Sequence, residues 1–198
     1  QIQLLIDGIY QKLFLDGNKL FQALSAHENV EVRIYNPITV MNLFRLNYRM
    51  HDKYVIVDEK MYLLGGRNTN DIFLGDKKTG INEDRDILMY DASGGESSSL
   101  LKLEGYFQQI WNEEHVSRKK SCHEQKYYTE QYVILEEKYD TLKTKYPDID
   151  SYDDWETDTF SVDKITLIDN GTQAGRKNPQ VLQAIEAFAM QGTHVIIQ

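Results

Sequence analysis

Cysteine, long apolar runs and positive charge are all scarce in this sequence of 198 residues. A single cysteine, Cys122, excludes an internal disulfide framework. The longest apolar runs, such as Tyr54-Val55-Ile56-Val57, have the length of one strand, whereas a helix that spans a bilayer needs roughly 18 or more apolar residues. No signal-peptide pattern opens the chain, and Gln1 stands almost inside a strand-like run, so we expect the natural start to lie upstream.

The charge balance is acidic, with 22 basic and 31 acidic residues and a formal net charge of −9. Surfaces that hold nucleic acid without sequence preference are usually basic, so this balance counts against such a function. The charge is uneven along the chain. Residues 45–67 contain five bases and three acids, a net charge of +2, whereas residues 146–160 contain six acids and no base. The acidic run is typical of a solvated loop.

The apolar pattern predicts alternating strands and helices, and therefore an α/β protein. The first three elements form a strand–helix–strand unit of the kind that builds parallel sheets, at 2–7, 17–27 and 30–35. A hairpin follows, with strands at 53–57 and 61–64 and a tight turn at Asp58-Glu59-Lys60. The remaining predicted elements are a strand at 86–90, helices at 97–111 and from about 115 to 145, a strand at 164–168, a helix at 179–191 and a strand at 193–197.

The segment from His51 to Asn68 combines the groups that cleave a phosphodiester. His51 and Lys53 stand on one face of an extended segment, and Asp58 and then Gly65-Gly66-Arg67-Asn68 follow. The reaction needs a nucleophile or base that works near neutral pH, positive charge on the non-bridging oxygens and neutral donors at close range. Histidine, lysine, glycine N–H groups and an asparagine amide supply these. An isolated H-x-K pair is usually only a solvated strand face, but the full spacing H-x-K-x4-D-x6-G-G-x-N favours a site.

This spacing resembles the HKD motif of the phospholipase D superfamily. Three flanking stretches are similar to bacterial cardiolipin synthase-like members: Arg33-Ile34-Tyr35-Asn36-Pro37, Arg45-Leu46-Asn47-Tyr48-Arg49-Met50 and Asn68-Thr69-Asn70-Asp71-Ile72-Phe73. Many members have Gly-Ser where this chain has Gly65-Gly66, so one hydroxyl donor to phosphate is absent here. The resemblance implies an α/β fold with a mixed, largely parallel sheet flanked by helices, present as one repeat and the start of a second.

The resemblance also implies roles for these residues. His51 would attack phosphorus to give a phosphohistidine, or protonate the leaving alcohol, while Lys53, Gly66 and Asn68 hold the phosphate. Asp58 would brace the local structure. A carboxylate further along usually orients the histidine, and Asp84 and Asp86 are the candidates, with Asp84 preferred; the alternative is an acidic strand edge. No metal or other cofactor is required.

Two such motifs meet at one site in the family, whereas this chain has one, because none of its other histidines is followed by lysine at the second position. The second motif would come from a missing C-terminal half or from the mate in a homodimer. Residues 181–197 echo residues 20–34, either as any two helix–strand units do or as a duplicated fold. The expected domains are a first HKD half-domain at 1–115, a polar and acidic connection at 116–162 and the beginning of a second half-domain at 163–198.

The leading hypothesis for function is a phospholipid phosphatidyltransferase or phospholipase that acts on a lipid such as phosphatidylglycerol. A nuclease of the same superfamily and a catalytically inactive relic are the alternatives, and nucleic acid is the less favoured partner. The resemblance places the protein at the cytoplasmic side of a bacterial membrane, peripheral or anchored by segments absent from this chain.

Overall fold

The computed structural model describes residues 1–40, 46–69, 84–91, 93, 97–119, 125–148, 155–169 and 179–194. The chain divides into two compact units, and each contains segments that are distant in sequence. The first comprises Gln1–Met50 and Glu113–Asp163, and the second comprises His51–Asn112 and Lys164–Gln198. The expected half-domains at 1–115 and 163–198, with a connection at 116–162, stay a prediction. Cys122 lies outside the described residues.

The first unit opens with the expected strand–helix–strand arrangement. Strand β1 (Ile2–Asp7) and strand β2 (Val30–Tyr35) pair in parallel, with Ile2 opposite Val30. Between them lie α1 (Gly8–Tyr10), a π-helical turn (Gln11–Leu15) and α2 (Lys19–Ala26). The core consists of buried apolar side chains from α2 and β2 with partly buried ones from β1 and the turn: Phe21, Val30, Val32, Ile34, Leu4, Ile6 and Leu15.

The polar stretch after Glu114 is not one continuous helix, which corrects the sequence prediction. Strand β6 (Val116–Arg118) pairs antiparallel with β2, and the long helix α4 (Gln125–Lys145) begins only afterwards. A strand of three residues is too short to show the alternation of apolar and polar residues that predicts strands, so the sequence did not reveal it. Within this unit α4 packs against α2, and a 3-10 turn (Trp155–Asp158) follows.

The second unit contains the expected hairpin and one more strand, all antiparallel. Strands β3 (Tyr54–Val57), β4 (Met61–Gly65) and β5 (Asp86–Tyr90) form the sheet in that order. Asp58 and Glu59 have φ angles of 50° and 55°, and the Lys60 N–H donates to the Val57 carbonyl at 3.0 Å. Two successive residues with positive φ match the right-handed twist of the strands that they join.

Helix α3 (Ser98–Trp111) packs on one face of this sheet. The buried core there is Tyr62, Met89, Leu100 and Leu103. Ile165 and Leu167 pack against this core, and Lys102 donates to the Leu167 carbonyl at 2.6 Å. Residues 164–168 therefore dock on the unit without forming the predicted strand. Alternate residues face inward as in a strand, but none of these residues pairs with a described strand.

The remaining predictions near the end of the chain have mixed outcomes. The predicted helix is present as α5 (Gln180–Gln191), with Pro179 in the capping position. Most of the predicted strand at 193–197 lies outside the described residues. No helix in the described ranges is long and apolar enough to cross a membrane.

The fold is mixed α/β, as expected, but the described sheets are not largely parallel. Of the four strand pairings, only β1 with β2 is parallel. A short turn makes β3 and β4 antiparallel neighbours, whereas a parallel pair needs a longer crossover. The other two antiparallel pairs, β4 with β5 and β2 with β6, join segments that are distant in sequence. The segment between β1 and β2 supplies the helical crossover that their parallel pairing needs.

Candidate active site

Except for Asp58, the predicted site residues lie at one edge of the three-stranded sheet in the second unit. Because the strands are antiparallel, the beginning of β3, the end of β4 and the beginning of β5 lie at the same edge. His51 and Lys53 precede β3, Gly66 and Asn68 follow β4, and the two predicted carboxylates stand at the start of β5. Asp58 lies in the turn at the other end of β3, about 17 Å along the chain from Lys53 at 3.4 Å per residue. The topology therefore separates Asp58 from the other predicted residues.

Lys53 lies one residue before β3 and is still joined to the sheet by a backbone hydrogen bond. The Gly65 N–H donates to the Lys53 carbonyl at 3.1 Å, which continues the β3–β4 register by one residue. The Lys53 ammonium donates to the His51 carbonyl, and the His51 side chain is exposed. An exposed imidazole at a sheet edge is accessible to a substrate.

Gly65 stands between Lys53 and Asp86 in one row across the three strands. Residues directly opposite each other in antiparallel strands project on the same face. A Cβ atom built on Gly65 would lie 1.7 Å from Asp86 Oδ1, so the Asp86 carboxylate occupies the space that a side chain would fill. Gly66 has the same relation to Asp84, with 2.5 Å to Oδ2. The two glycines therefore let both predicted carboxylates approach the segment that is predicted to bind phosphate.

Arg67 is bonded to both of these aspartate residues. Its Nε lies 2.9 Å from Asp86 Oδ2, which makes an ion pair, although the N–H is not aligned for a hydrogen bond. Its Nη2 donates to the Asp84 backbone carbonyl at 2.6 Å. Arg49 is likewise paired with Asp7, at 2.9 Å. Two of the five basic residues between positions 45 and 67 are thus paired with carboxylates.

The expected contact between His51 and a carboxylate is absent from the hydrogen bonds between described residues. Asp84 Oδ1 instead accepts from the Arg85 N–H at 2.8 Å, and Asp86 is paired with Arg67. Both carboxylates lie at the sheet edge that carries His51. The orientation of His51 by Asp84 or Asp86 stays a prediction, as do the phosphate contacts of Lys53, Gly66 and Asn68.

A buried clamp in the first unit, which sequence reasoning missed, holds the residues just before His51. Asp7 ends β1 and is 8% exposed; it accepts from Arg49 Nε at 2.9 and 3.0 Å and from the Met50 N–H at 3.1 Å. Asn36, which follows β2, donates its side-chain amide to the Tyr48 carbonyl at 3.1 Å. The available signal was a polar residue at the carboxyl end of each of two adjacent parallel strands, since such ends share an edge.

The described part of the chain contains no group of three or more His, Cys, Asp or Glu residues arranged to hold a metal ion. Lys53, Arg67 and Arg85 bring positive charge to the sheet edge, and Arg67 already faces a carboxylate. The chemical groups gathered there are an exposed imidazole, an ammonium, glycine N–H groups and an amide.

Gly65→Ala is expected to lower the free energy of unfolding by about 1–3 kcal/mol, as overpacking does. The added methyl group would meet the Asp86 carboxylate, which can make room only by moving away from Arg67. Chemical denaturation measures the loss. The matched control is the same substitution in an Asp86→Ala background, where the carboxylate is gone, only Cβ remains at 3.0 Å, and the loss should be clearly smaller. Equal losses in both backgrounds would show that the carboxylate does not occupy this space.

Comparison with known proteins adds a partial likeness. No family model matches the chain. Cardiolipin synthase C of Escherichia coli is 31% identical over 96 residues, which cover 41% of this chain and 20% of that protein. Uncharacterized proteins of two Helicobacter pylori strains are each 30% identical over 121 residues, which cover 52% of this chain and 23% of each relative. The chain thus matches about a fifth of the length of these curated relatives, and the likeness suggests a cardiolipin synthase-like, phospholipase D-type relationship.

Proposed function

We propose that this chain supplies one half-site of a phospholipid-modifying enzyme that cleaves and transfers phosphodiesters by way of a phosphohistidine. The observation that carries the proposal is the convergence of His51, Lys53, Gly66 and Asn68 at one sheet edge. The partial likeness to cardiolipin synthase C supports the choice of a phospholipid as substrate.

In the proposed reaction an imidazole nitrogen of His51 attacks phosphorus, and a phosphorus–nitrogen bond forms as the bond to the leaving alcohol breaks. The histidine of a second HKD motif donates a proton to the departing oxygen. Water or another alcohol then attacks the phosphohistidine and releases the phosphoryl group, while the second histidine takes up its proton. If the two histidines exchange roles, the same bonds form and break.

The phosphate is held by charge and by neutral donors. The Lys53 ammonium balances negative charge on the non-bridging oxygens as charge develops in the transition state. Gly66 lets the backbone approach the phosphate, and the Asn68 amide donates without adding charge. One motif supplies only half of this set. The second motif, from a C-terminal half or a homodimer mate, is therefore part of the proposal.

The sheet face that carries Lys53 favours a lipid over a nucleic acid. The next row on this face is Val55, Leu63 and Leu88, which are 55%, 41% and 43% exposed. Exposed apolar side chains beside the phosphate residues suit the hydrocarbon part of a lipid, whereas a nucleic acid would need further cations along its path. The net charge of −9 points the same way.

The proposal is tested by assaying the full-length protein on phosphatidylglycerol vesicles and on DNA in parallel. We expect lipid turnover and no cleavage of DNA. Transfer to a second phosphatidylglycerol would yield cardiolipin and glycerol, and hydrolysis would yield phosphatidic acid and glycerol, so the products identify the acceptor. DNA cleavage would establish the nuclease alternative, and inactivity on both substrates would favour the relic.

Cell fractionation tests the proposed location at the cytoplasmic side of a bacterial membrane.

A further inference from the structure

Asp52, between His51 and Lys53, is attached to helix α3 by a side-chain hydrogen bond. The Tyr106 hydroxyl donates to Asp52 Oδ2 at 2.8 Å. All of these residues belong to the second unit. The bond joins two positions 54 residues apart in sequence and links the motif to a helix packed on the core.

This bond fixes the motif at Asp52, just beyond the point where the backbone pairing of the sheet ends. The ladder ends with the hydrogen bond from Gly65 to the Lys53 carbonyl. No backbone hydrogen bond between described residues fixes His51 or Asp52. The hydrogen bonds that hold this stretch therefore involve side chains: Asp7 accepts from the Met50 N–H, Lys53 donates to the His51 carbonyl, and Asp52 accepts from Tyr106.

The alternation of an extended chain gives this anchor a directional effect. Asp52 projects on the face opposite to His51 and Lys53, because successive side chains alternate. Its face is that of Tyr54, whose ring lies 6.5 Å from the Tyr106 ring and 6.3 Å from the Phe107 ring, centroid to centroid. Fixing Asp52 on the α3 side directs its two neighbours to the other face of the sheet, which is the face of Gly65 and Asp86.

Tyr106 suits this role because it stays a donor. Burial, and then the negative charge of Asp52, raise the pKa of the Tyr106 phenol well above its ordinary value. The hydroxyl therefore remains protonated throughout the pH range in which a histidine can act.

We infer that Tyr106 is a positioning residue that, through Asp52, sets the direction of the His51 and Lys53 side chains. This inference rests on the proposed function for its effect on catalysis. The rival role for Asp52 is electrostatic, since a carboxylate near an imidazole stabilises the imidazolium form. The two roles differ in what Asp52→Asn does, because the amide oxygen still accepts from Tyr106 although the charge is gone.

The experiment compares kcat and KM of the full-length protein on phosphatidylglycerol vesicles. We expect Tyr106→Phe and Asp52→Ala each to lower kcat about tenfold or more with little change in KM, because small misplacements of reacting groups are costly. Asp52→Asn should retain most of kcat and the pH profile. Tyr106→Phe added to Asp52→Ala should cost nothing further. Tyr54→Phe, which removes a neighbouring phenol hydroxyl, is the matched control and should retain kcat.

Several results would overturn the inference: an unchanged kcat in Tyr106→Phe, additive losses in the double variant, or a pH profile displaced by Asp52→Asn. A second readout does not depend on turnover. In histidine-labelled protein the His51 ring signals should move in Tyr106→Phe and stay in place in Tyr54→Phe. If the unmodified protein turns over neither substrate, the proposed function fails, and these signals alone decide whether Tyr106 positions His51.

Discussion

His51→Ala is expected to lower phosphodiester turnover by about a thousandfold or more while changing the free energy of unfolding by no more than about 0.5 kcal/mol. The two effects separate because the side chain is exposed and makes no hydrogen bond with another described residue. Its backbone carbonyl, which accepts from Lys53, remains in the alanine variant. Removing the imidazole therefore removes the nucleophile or the proton donor and little else.

The measurement is kcat on phosphatidylglycerol vesicles, with circular dichroism during thermal unfolding as the check on folding. His194→Ala is the matched control, since His194 is also exposed but has no lysine two positions later. It should leave both quantities unchanged. Turnover that survives His51→Ala would remove that residue from the mechanism. A large loss of stability would show that its role is structural.

The elements that depend on local pattern were predictable from sequence. Strands β1 and β2 and the helix between them follow from alternating and helical apolar spacing. The hairpin turn at Asp58 and Glu59 was expected as a tight turn, and both residues adopt positive φ. The spacing of the motif then suffices to bring its histidine, lysine and asparagine to one edge, because a hairpin returns the chain to the edge that it left.

Pairing between distant segments was not predictable. Strand β6 has three residues and pairs with a strand about 80 positions earlier, so neither its period nor its partner can be read from the sequence. Apolar and polar residues alternate at 164–168 as in a strand. Such alternation shows which side chains face a core, but it does not show that the backbone pairs with a neighbouring strand. The expected largely parallel sheet was wrong for the described strands for the same reason.

The contacts that support the site were also beyond sequence reasoning. Asp7 meets Arg49 across 42 positions, and Tyr106 meets Asp52 across 54. The position of Asp7 at the end of a parallel strand was a signal for a polar contact, but nothing in the sequence pairs Asp7 with Arg49 or Asp52 with Tyr106. Arg49 and Arg67 are each paired with a carboxylate. The net charge of +2 over residues 45–67 therefore overstates the positive charge available to a phosphate.

Gly8→Ala is expected to lower the free energy of unfolding by about 3 kcal/mol, near the upper end of the usual overpacking range. Gly8 follows the capping residue Asp7 and is buried against the end of β2. A Cβ atom there would lie 2.3 Å from the Asn36 carbonyl oxygen and 2.8 Å from that of Tyr35. These are backbone atoms of a paired strand and the residue after it, so no side-chain rotation relieves the contact.

The relief available is to separate the ends of β1 and β2, which would also draw Asp7 and Asn36 away from residues 48–50. Chemical denaturation of Gly8→Ala measures the cost. Gly105→Ala is the matched control, because Gly105 lies in helix α3 and, apart from its chain neighbours and the helix's own backbone, no described atom lies within 4 Å of its added Cβ. Alanine there should raise stability by about 0.5–1 kcal/mol through helix propensity. Opposite signs for the two substitutions would establish the close approach at Gly8, whereas a neutral or stabilising Gly8→Ala would contradict it.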